Sequence, residues 1–258
     1  MKTLITGGTG SIGRSLSELV KDAIIFSRDE SLQIEMQRSS RHKFIIGDIC
    51  DYDSIIEACR GVNYVFHFAA LKHVDKCEQQ PIEAVRVNVL GTMNVINACR
   101  LTGAKMINMS SDKAINPVNV YGKTKSLAED MVTEAGYLSI RSGNVLWSSN
   151  SVLPIWKQQI KLTNKINLTS KEMTRFFIHV NELVNLMWNT KEMKGVLTVP
   201  MKPFYLYDIA IEFLKRYGDG ETTINITGLR PGERLHEFRD AETSSKNNIC
   251  KDLNYIFQ

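Results

Sequence analysis

Tyr121 and Lys125 stand four residues apart in Tyr121-Gly122-Lys123-Thr124-Lys125, a spacing that puts both side chains on one face of a helix. A cation beside a phenol lowers its pKa, so that the phenolate can take a hydroxyl proton while hydride leaves the same carbon. Ten residues before Tyr121, Ser111 stands in Ser110-Ser111-Asp112-Lys113, which closes an apolar run. From a strand end, Ser111 could hydrogen-bond the reacting oxygen. A Tyr-x-x-x-Lys pair alone is more often an exposed helical pair; its company gives it weight here.

That company is a glycine-rich loop. Thr6-Gly7-Gly8-Thr9-Gly10-Ser11-Ile12-Gly13 follows the first apolar run directly and opens a helix. Gly8, Gly10 and Gly13 meet the dinucleotide fingerprint: glycine permits the tight turn and lets the backbone approach a pyrophosphate at the positive end of the helix. Gly7, Gly10, Ser11, Ile12 and Gly13 are the expected contacts; a glycine-rich turn without a ligand is the plain alternative. The second apolar run ends in Ser27-Arg28-Asp29. A carboxylate at such a tip holds the ribose 2′-hydroxyl of NAD, whereas an arginine favours the 2′-phosphate of NADP. Ser27 and Arg28 therefore predict NADP, with Asp29 as the competing feature. Asp48 and Ile49, after the third run, meet the adenine edge or form an ordinary strand-end turn.

The elements that must position these residues follow from the pattern. Lys2–Thr6, Ala23–Ser27, Lys43–Ile46, Tyr64–Phe68, Lys105–Ser110 and Leu138–Arg141 read as strands. Amphipathic segments at Gly13–Val20, Asp53–Cys59, Glu83–Arg100 and Tyr121–Ala135 lie between them. Strands alternating with helices predict an α/β, doubly wound parallel sheet of Rossmann type. Runs such as Tyr64–Phe68 lack strict alternation, as befits strands buried on both sides. The second half is less regular, with helices expected at Pro154–Lys161, Asn181–Thr190 and Leu206–Tyr217, a strand at Thr223–Ile226 and a turn at Gly228–Gly232. Residues 1–142 are expected to form the dinucleotide-binding domain, with 176–200 returning to it. Residues 143–175 and 201–258 form a small substrate-binding lobe, and the polar stretch 243–248 is expected to be mobile.

Composition narrows the class. The chain has 258 residues, 43% hydrophobic and 23% charged, with a net charge of +4. That suits an anionic ligand such as a nucleotide, and with no long basic run it does not suggest a nucleic-acid surface. No apolar stretch reaches membrane-spanning length, and the N-terminus enters Leu4-Ile5-Thr6-Gly7 at once, so a cytoplasmic protein without a secretory signal is expected. The five cysteines are scattered with no metal-ligand spacing, which predicts reduced thiols and no metal.

Further motifs carry a resemblance over almost the whole chain: Ala69-Ala70-Leu71-Lys72-His73-Val74, Asn88-Val89-Leu90-Gly91-Thr92, Asn116-Pro117, Arg141-Ser142-Gly143-Asn144-Val145, Met173-Thr174-Arg175-Phe176-Phe177 and Arg230-Pro231-Gly232-Glu233-Arg234-Leu235-His236-Glu237. With the loop at Thr6–Gly13, Ser27–Glu30, Ser111–Ala114 and Tyr121–Lys125, the chain resembles an extended short-chain dehydrogenase/reductase. More narrowly, it is similar to the inverting, C5-epimerising UDP-N-acetylglucosamine 4,6-dehydratases of surface-polysaccharide biosynthesis. Asp112-Lys113 discriminates: similar 4-epimerases carry small non-ionisable residues there, and retaining dehydratases carry Asp-Glu. A solvent-exposed ion pair is the plain alternative.

The resemblance implies a mechanism. Tyr121 takes the C4 hydroxyl proton as C4 hydride passes to NADP, assisted by Lys125 and Ser111. The 4-keto group acidifies the C5 proton, which Lys113 removes if its amine is deprotonated, while a protonated Asp112 releases the C6 hydroxyl as water. Hydride returns to C6, and reprotonation of C5 from the other face inverts it. Ala69 and Ala70 are implied as cofactor contacts, and Lys72, Asn144, Arg175, Arg230 and Glu233 as contacts to a UDP-sugar, with structural salt bridges as the alternative for the charged ones. His73 is a second-rank candidate, His67 belongs to the core, and Asn88 orders its helix. Similar enzymes form homo-oligomers. Ser148-Ser149-Asn150-Ser151 departs from the glycine-bearing turn expected there, which bears on the sugar pocket. The competing activities are a UDP-sugar 4-epimerase or 4-keto reductase, and an inactive nucleotide-binding protein.

Overall fold

A computed structural model describes residues 1–240, 242–244 and 249–258. Its first half is a βα series: β1 Thr3–Thr6, α1 Ser11–Leu19, β2 Ala23–Ser27, α2 Glu30–Gln37, β3 Lys43–Ile46, α3 Tyr52–Cys59 and β4 Tyr64–His67. The short α4 Val74–Gln79 and α5 Pro81–Val85 lead through a π-helical segment, Arg86–Gly91, into α6 Thr92–Thr102. Then come β5 Lys105–Ser111, a 3₁₀ turn at Asp112–Ala114, α7 Val120–Glu134 and β6 Leu138–Ser142. The second half holds β7 Asn144–Val145, α8 Val152–Thr163, β8 Lys165–Leu168, β9 Thr174–Ile178, α9 Val180–Asn189, β10 Gly195–Thr198, β11 Lys202–Tyr205, α10 Leu206–Tyr217, β12 Thr223–Ile226, β13 Phe238–Arg239, β14 Glu242–Thr243 and α11 Asn254–Phe257.

Seven parallel strands form the main sheet in the order β10-β6-β5-β4-β1-β2-β3. This is the doubly wound, Rossmann-type architecture. Neighbouring residues on its central strands serve opposite faces, and both faces are apolar. Leu4, Ile24, Val65 and Met106 pack towards α3 and α6, while Ile5, Ile25, Phe66 and Ile107 pack towards α1 and α9. Two polar pairs interrupt this apolar sheet at directly facing positions. Thr6 meets His67, with Oγ1 and Nδ1 2.7 Å apart, and Asn108 donates to Ser139 at 3.0 Å.

The chain reverses direction across the sheet between β1 and β4, so their carboxyl ends leave a crevice, the usual place for a ligand in such a sheet. A second core covers that crevice. It is built around Trp156, Phe204 and Phe213, with Tyr255 and Ile256 of α11 packed into it. The strand trio β11-β9-β7 and the pair β12-β8 carry this lobe.

Three sequence expectations need correction. The helix expected over Glu83–Arg100 is broken by the π-helical turn at Arg86–Gly91, where buried Asn88 bonds outside its own helix. The α2 helix was not expected: its sequence, ESLQIEMQ, buries only Gln33 and Met36. Of the polar stretch expected to be mobile, residues 245–248 lie outside the described residues, whereas Ser244 is fully buried.

Candidate active site

A cleft of about 1280 Å³ runs along the carboxyl ends of the sheet strands, and every residue singled out above as catalytic, dinucleotide-binding or substrate-binding lines it. At one end lies the loop between β1 and α1. Gly7 has a φ of +64°, and a Cβ there would stand 2.8 Å from the Ala69 nitrogen. At Gly13 a Cβ would meet Gly8 backbone at 2.6 Å. Gly10 caps α1 without a side-chain bond, and Ser11, Ile12 and Gly13 of its first turn line the cleft. A loop whose Gly7 and Gly13 leave no room for a side chain, at a helix N-terminus, fits the diphosphate of a dinucleotide.

The β2 tip is rigidly built. The Gln33 amide, buried, donates to the Ser27 carbonyl and hydroxyl at 3.0 Å and to the Ile45 carbonyl at 2.8 Å. Asp29, the competing carboxylate, lines the cleft and caps α2 by accepting from the Leu32 amide at 2.9 Å. Arg28 stays at the rim, 3.6 Å from Asp48, and Arg86 approaches the same carboxylate at 3.8 Å. Burial pushes the Asp48 carboxyl up, but the Cys50 amide and the two arginines outweigh it and hold it below its ordinary value. Arg86 had not been singled out from the sequence; it lies far along the chain from Arg28.

The other half of the cleft is assembled where β5 meets α7. Asn119 caps α7, accepting from the Gly122 amide at 2.7 Å and donating to the Gly232 carbonyl at 2.8 Å. Gly122 lets the helix start press on the 3₁₀ turn, since a Cβ would stand 2.3 Å from the Lys113 carbonyl oxygen. Tyr121 and Ser111 thereby face each other. Burial raises the Tyr121 pKa, with the Ser111 hydrogen bond and the Lys113 charge only partly opposing it. The expected lowering of that phenol by Lys125 is therefore not found. Lys125 is itself buried, and its pKa is pushed down to about 8 by desolvation, opposed by Glu129 one turn on. Glu129 is held by Arg141, whose Nε donates to both carboxylate oxygens at 3.0 and 3.1 Å.

Asp112 and Lys113 form no exposed pair. Lys113 Nζ lies 3.0 Å from Asp112 Oδ1 and 3.2 Å from Glu237 Oε1, with both carboxylates almost wholly buried. Burial raises the Asp112 pKa, with Glu237 adding and Lys113 opposing. For Lys113, burial alone would lower the pKa, but the two carboxylates outweigh it and raise it. The two carboxylates thus favour the ammonium over the free amine required by the sequence reading. Sequence reasoning quoted Glu237 as part of a motif without giving it a role.

Of the substrate-side residues, Lys72 donates to the Ser149 carbonyl at 2.7 Å, and Ser149 also binds Ser11 through its amide at 2.8 Å. The Ser148–Ser151 segment, which departs from the expected glycine-bearing turn, thus bridges the glycine-rich loop and Lys72. Arg175 commits Nη1 and Nη2 to the carbonyls of Thr174, Leu235 and Arg234, clamping the loop that carries Glu237. Arg230 and Glu233 pair with each other at 2.6 Å on the rim. Asn144 makes a long bond to the Phe176 carbonyl, 3.4 Å. His73 lines the cleft beside Lys72, and burial lowers its pKa. His67 is a core residue between Thr6 and Thr92.

The family model described as "Polysaccharide biosynthesis protein" matches residues 3–256. The chain belongs to the polysaccharide biosynthesis protein family. A family relative, the UDP-glucose 4-epimerase of Rickettsia bellii, is 36% identical over 258 residues, covering 91% of this chain and 76% of its own. A Methanocaldococcus jannaschii protein named as an uncharacterized membrane protein is 40% identical, covering 91% and 78%; among the described residues of this chain, no helix is long and apolar enough to cross a membrane. The solved Pen protein of Bacillus thuringiensis is 36% identical with a TM-score of 0.88, covering 92% and 82%. A Streptomyces venezuelae dTDP-glucose 4,6-dehydratase, solved with NAD, shares the fold at 18% identity and a TM-score of 0.83, covering 91% and 87%.

Proposed function

We propose that this family member is an inverting 4,6-dehydratase of UDP-N-acetylglucosamine, of the extended short-chain dehydrogenase/reductase type, working with NADP. The observation that carries the reading is the buried Asp112–Lys113 pair, 3.0 Å apart, beside Ser111 and Tyr121. A 4-epimerase needs only the redox residues; an acid and an amine in the same cleft are what elimination of water adds. A nicotinamide dinucleotide held along the Gly7–Gly13 loop and the β2 tip would supply hydride acceptance from C4 and hydride donation to C6. Tyr121, whose pKa burial raises, must first give up its phenol proton, as Lys113 must lose its own. It then takes the C4 hydroxyl proton while Ser111 hydrogen-bonds the oxygen and Lys125 keeps a cationic donor at the same helix face. Asp112, held towards its neutral form by burial, gives its proton to the departing C6 hydroxyl, and Lys113 takes the C5 proton once its own has been passed on. Lys72, Asn144, Arg175, Arg230 and Glu233 form the nucleotide-sugar side of the cleft.

The NADP assignment is supported by the β2 tip: Asp29 caps α2 through one carboxylate oxygen, while Arg28 lines the cleft beside it. The names of the Rickettsia relatives favour a second reading, a UDP-sugar 4-epimerase using Ser111, Tyr121 and Lys125 alone. Purified protein incubated with UDP-N-acetylglucosamine in D₂O separates the two. Dehydration appears by NMR as loss of oxygen at C6 together with deuterium at C5, whereas a product of unchanged mass with C4 inverted refutes it. Lys113→Ala should keep nucleotide binding and lose both dehydration and C5 exchange.

A further inference from the structure

Dehydration as proposed above needs Asp112 to hold a proton and Lys113 to lose one, yet the two sit 3.0 Å apart. Left alone, such a pair settles as carboxylate and ammonium, which is the wrong state for both. The second carboxylate resolves this. Glu237 Oε1 is 3.2 Å from the same ammonium, so Lys113 lies between two buried carboxyl groups. Each carboxyl has a buried oxygen, Asp112 Oδ2 and Glu237 Oε2, with no hydrogen-bond partner among the described residues. Two ionised carboxylates would leave two buried anionic oxygens unsatisfied, and a proton relieves one of them.

The surrounding charges do not remove that need. Arg175 is 3.9 Å from Glu237, beyond hydrogen-bond reach, with Nη1 and Nη2 given to main-chain carbonyls. Arg234 donates to the carbonyls of Ile115 and Asn116. His236 bonds Thr174 Oγ1 at 2.8 Å, and the Tyr121 phenol stands on the Ser111 side.

We propose that Asp112 and Glu237 hold one proton between them across Lys113, making Glu237 the positioning residue that sets the proton state of both catalytic groups. This deepens, and rests on, the dehydratase reading. At rest Glu237 is the carboxylate, Lys113 the ammonium and Asp112 the acid. In the reaction an Nζ–H bond of Lys113 breaks, its electron pair stays on nitrogen, and the proton joins Glu237. The freed amine takes the C5 proton, and the Asp112 proton leaves with the C6 oxygen as water. The cluster then holds Lys113 as ammonium, Glu237 as acid and Asp112 as carboxylate. A proton passed from Glu237 through Lys113 to Asp112 restores the cluster after elimination. The proton then added to C5 on its other face comes from solvent and is matched by the C4 hydroxyl proton that Tyr121 releases, so the turnover gains and loses none.

Glu237→Gln keeps the shape and removes the second carboxylate. Oxidation at C4, read as nicotinamide reduction on mixing with UDP-N-acetylglucosamine, should stay near wild type, while water loss and C5 deuterium uptake fall about a hundredfold. The pH limb that reports the required acid should move to lower pH, since Glu237 no longer favours the neutral form of Asp112. Glu237→Asp should recover part of the rate. A Glu237→Gln enzyme that dehydrates at the wild-type rate, or that loses C4 oxidation in equal measure, overturns the proposal. A wild type that oxidises C4 without C5 exchange refutes the dehydratase reading instead. The shared proton is then judged by infrared spectroscopy of the resting protein. The band of a buried carboxylic acid should be present in wild type and lost in both Asp112→Asn and Glu237→Gln; its survival in Glu237→Gln overturns the proposal.

Discussion

Replacing Lys125 by methionine should make the protein more stable near neutral pH while abolishing its redox activity. Lys125 is 4% exposed, and desolvation takes its pKa from 10.5 to about 8. At 1.36 kcal/mol per pH unit, a drop of that size corresponds to about 3 kcal/mol of destabilisation while the amine is charged. The sign follows from the depressed folded value. Below about pH 8 both folded and unfolded chains carry the charge, and the folded state bears the full cost. Between there and the unfolded value of about 10.4 the folded amine loses its proton first, so wild-type stability rises with pH. Methionine, unbranched and of similar length, fills the space without a charge, and Glu129 keeps its two bonds from Arg141. Urea unfolding of both proteins near pH 7 and near pH 10 tests this. The mutant should lead by up to about 3 kcal/mol at the lower pH and lose most of that lead at the higher. A mutant less stable than wild type near pH 7, or a gap indifferent to pH, refutes the reasoning.

Gly122→Ala should cost about 2 kcal/mol and displace Asp112 and Lys113, because its Cβ falls 2.3 Å from a backbone oxygen that cannot rotate away; denaturant unfolding and turnover measure the two effects, and a fully active, equally stable variant contradicts it. Arg28→Ala should weaken NADP relative to NAD by about tenfold or more, as expected for losing a charge-assisted contact. Fluorescence titration with each nucleotide gives the ratio, and an unchanged ratio removes Arg28 from 2′-phosphate recognition.

The fold was readable because its strands are apolar on both faces and its turns are marked by glycine. The glycine-rich loop, the β2 tip and the Ser111–Tyr121–Lys125 set could be singled out from spacing alone, since each lies within a short stretch of chain, and all of them line one cleft. What spacing could not supply was the balance of burial against charge. Tyr121 and Lys125 share a helix face, yet desolvation rather than mutual attraction decides the direction of both shifts. Nor could it supply partners distant in sequence: Glu237 reaches Lys113 from a loop that Arg175 clamps, and Arg86 reaches Asp48 from the π-helical turn. That turn was itself hidden by a continuous apolar pattern, and α2 by a nearly polar one.

The sheet's two greasy faces leave it with little means of telling one strand alignment from another: sliding a strand by one residue would exchange Leu4 for Ile5 or Val65 for Phe66 at almost no hydrophobic cost. The Thr6–His67 pair supplies that information between β1 and β4 and the Asn108–Ser139 pair between β5 and β6, because a slip at either junction would strand two buried polar groups away from their mates. Such pegs sit where they matter. Thr6 is the last residue of β1 before the glycine-rich turn, so the peg that fixes the alignment of β1 with β4 also fixes the height at which Gly7 meets Ala69.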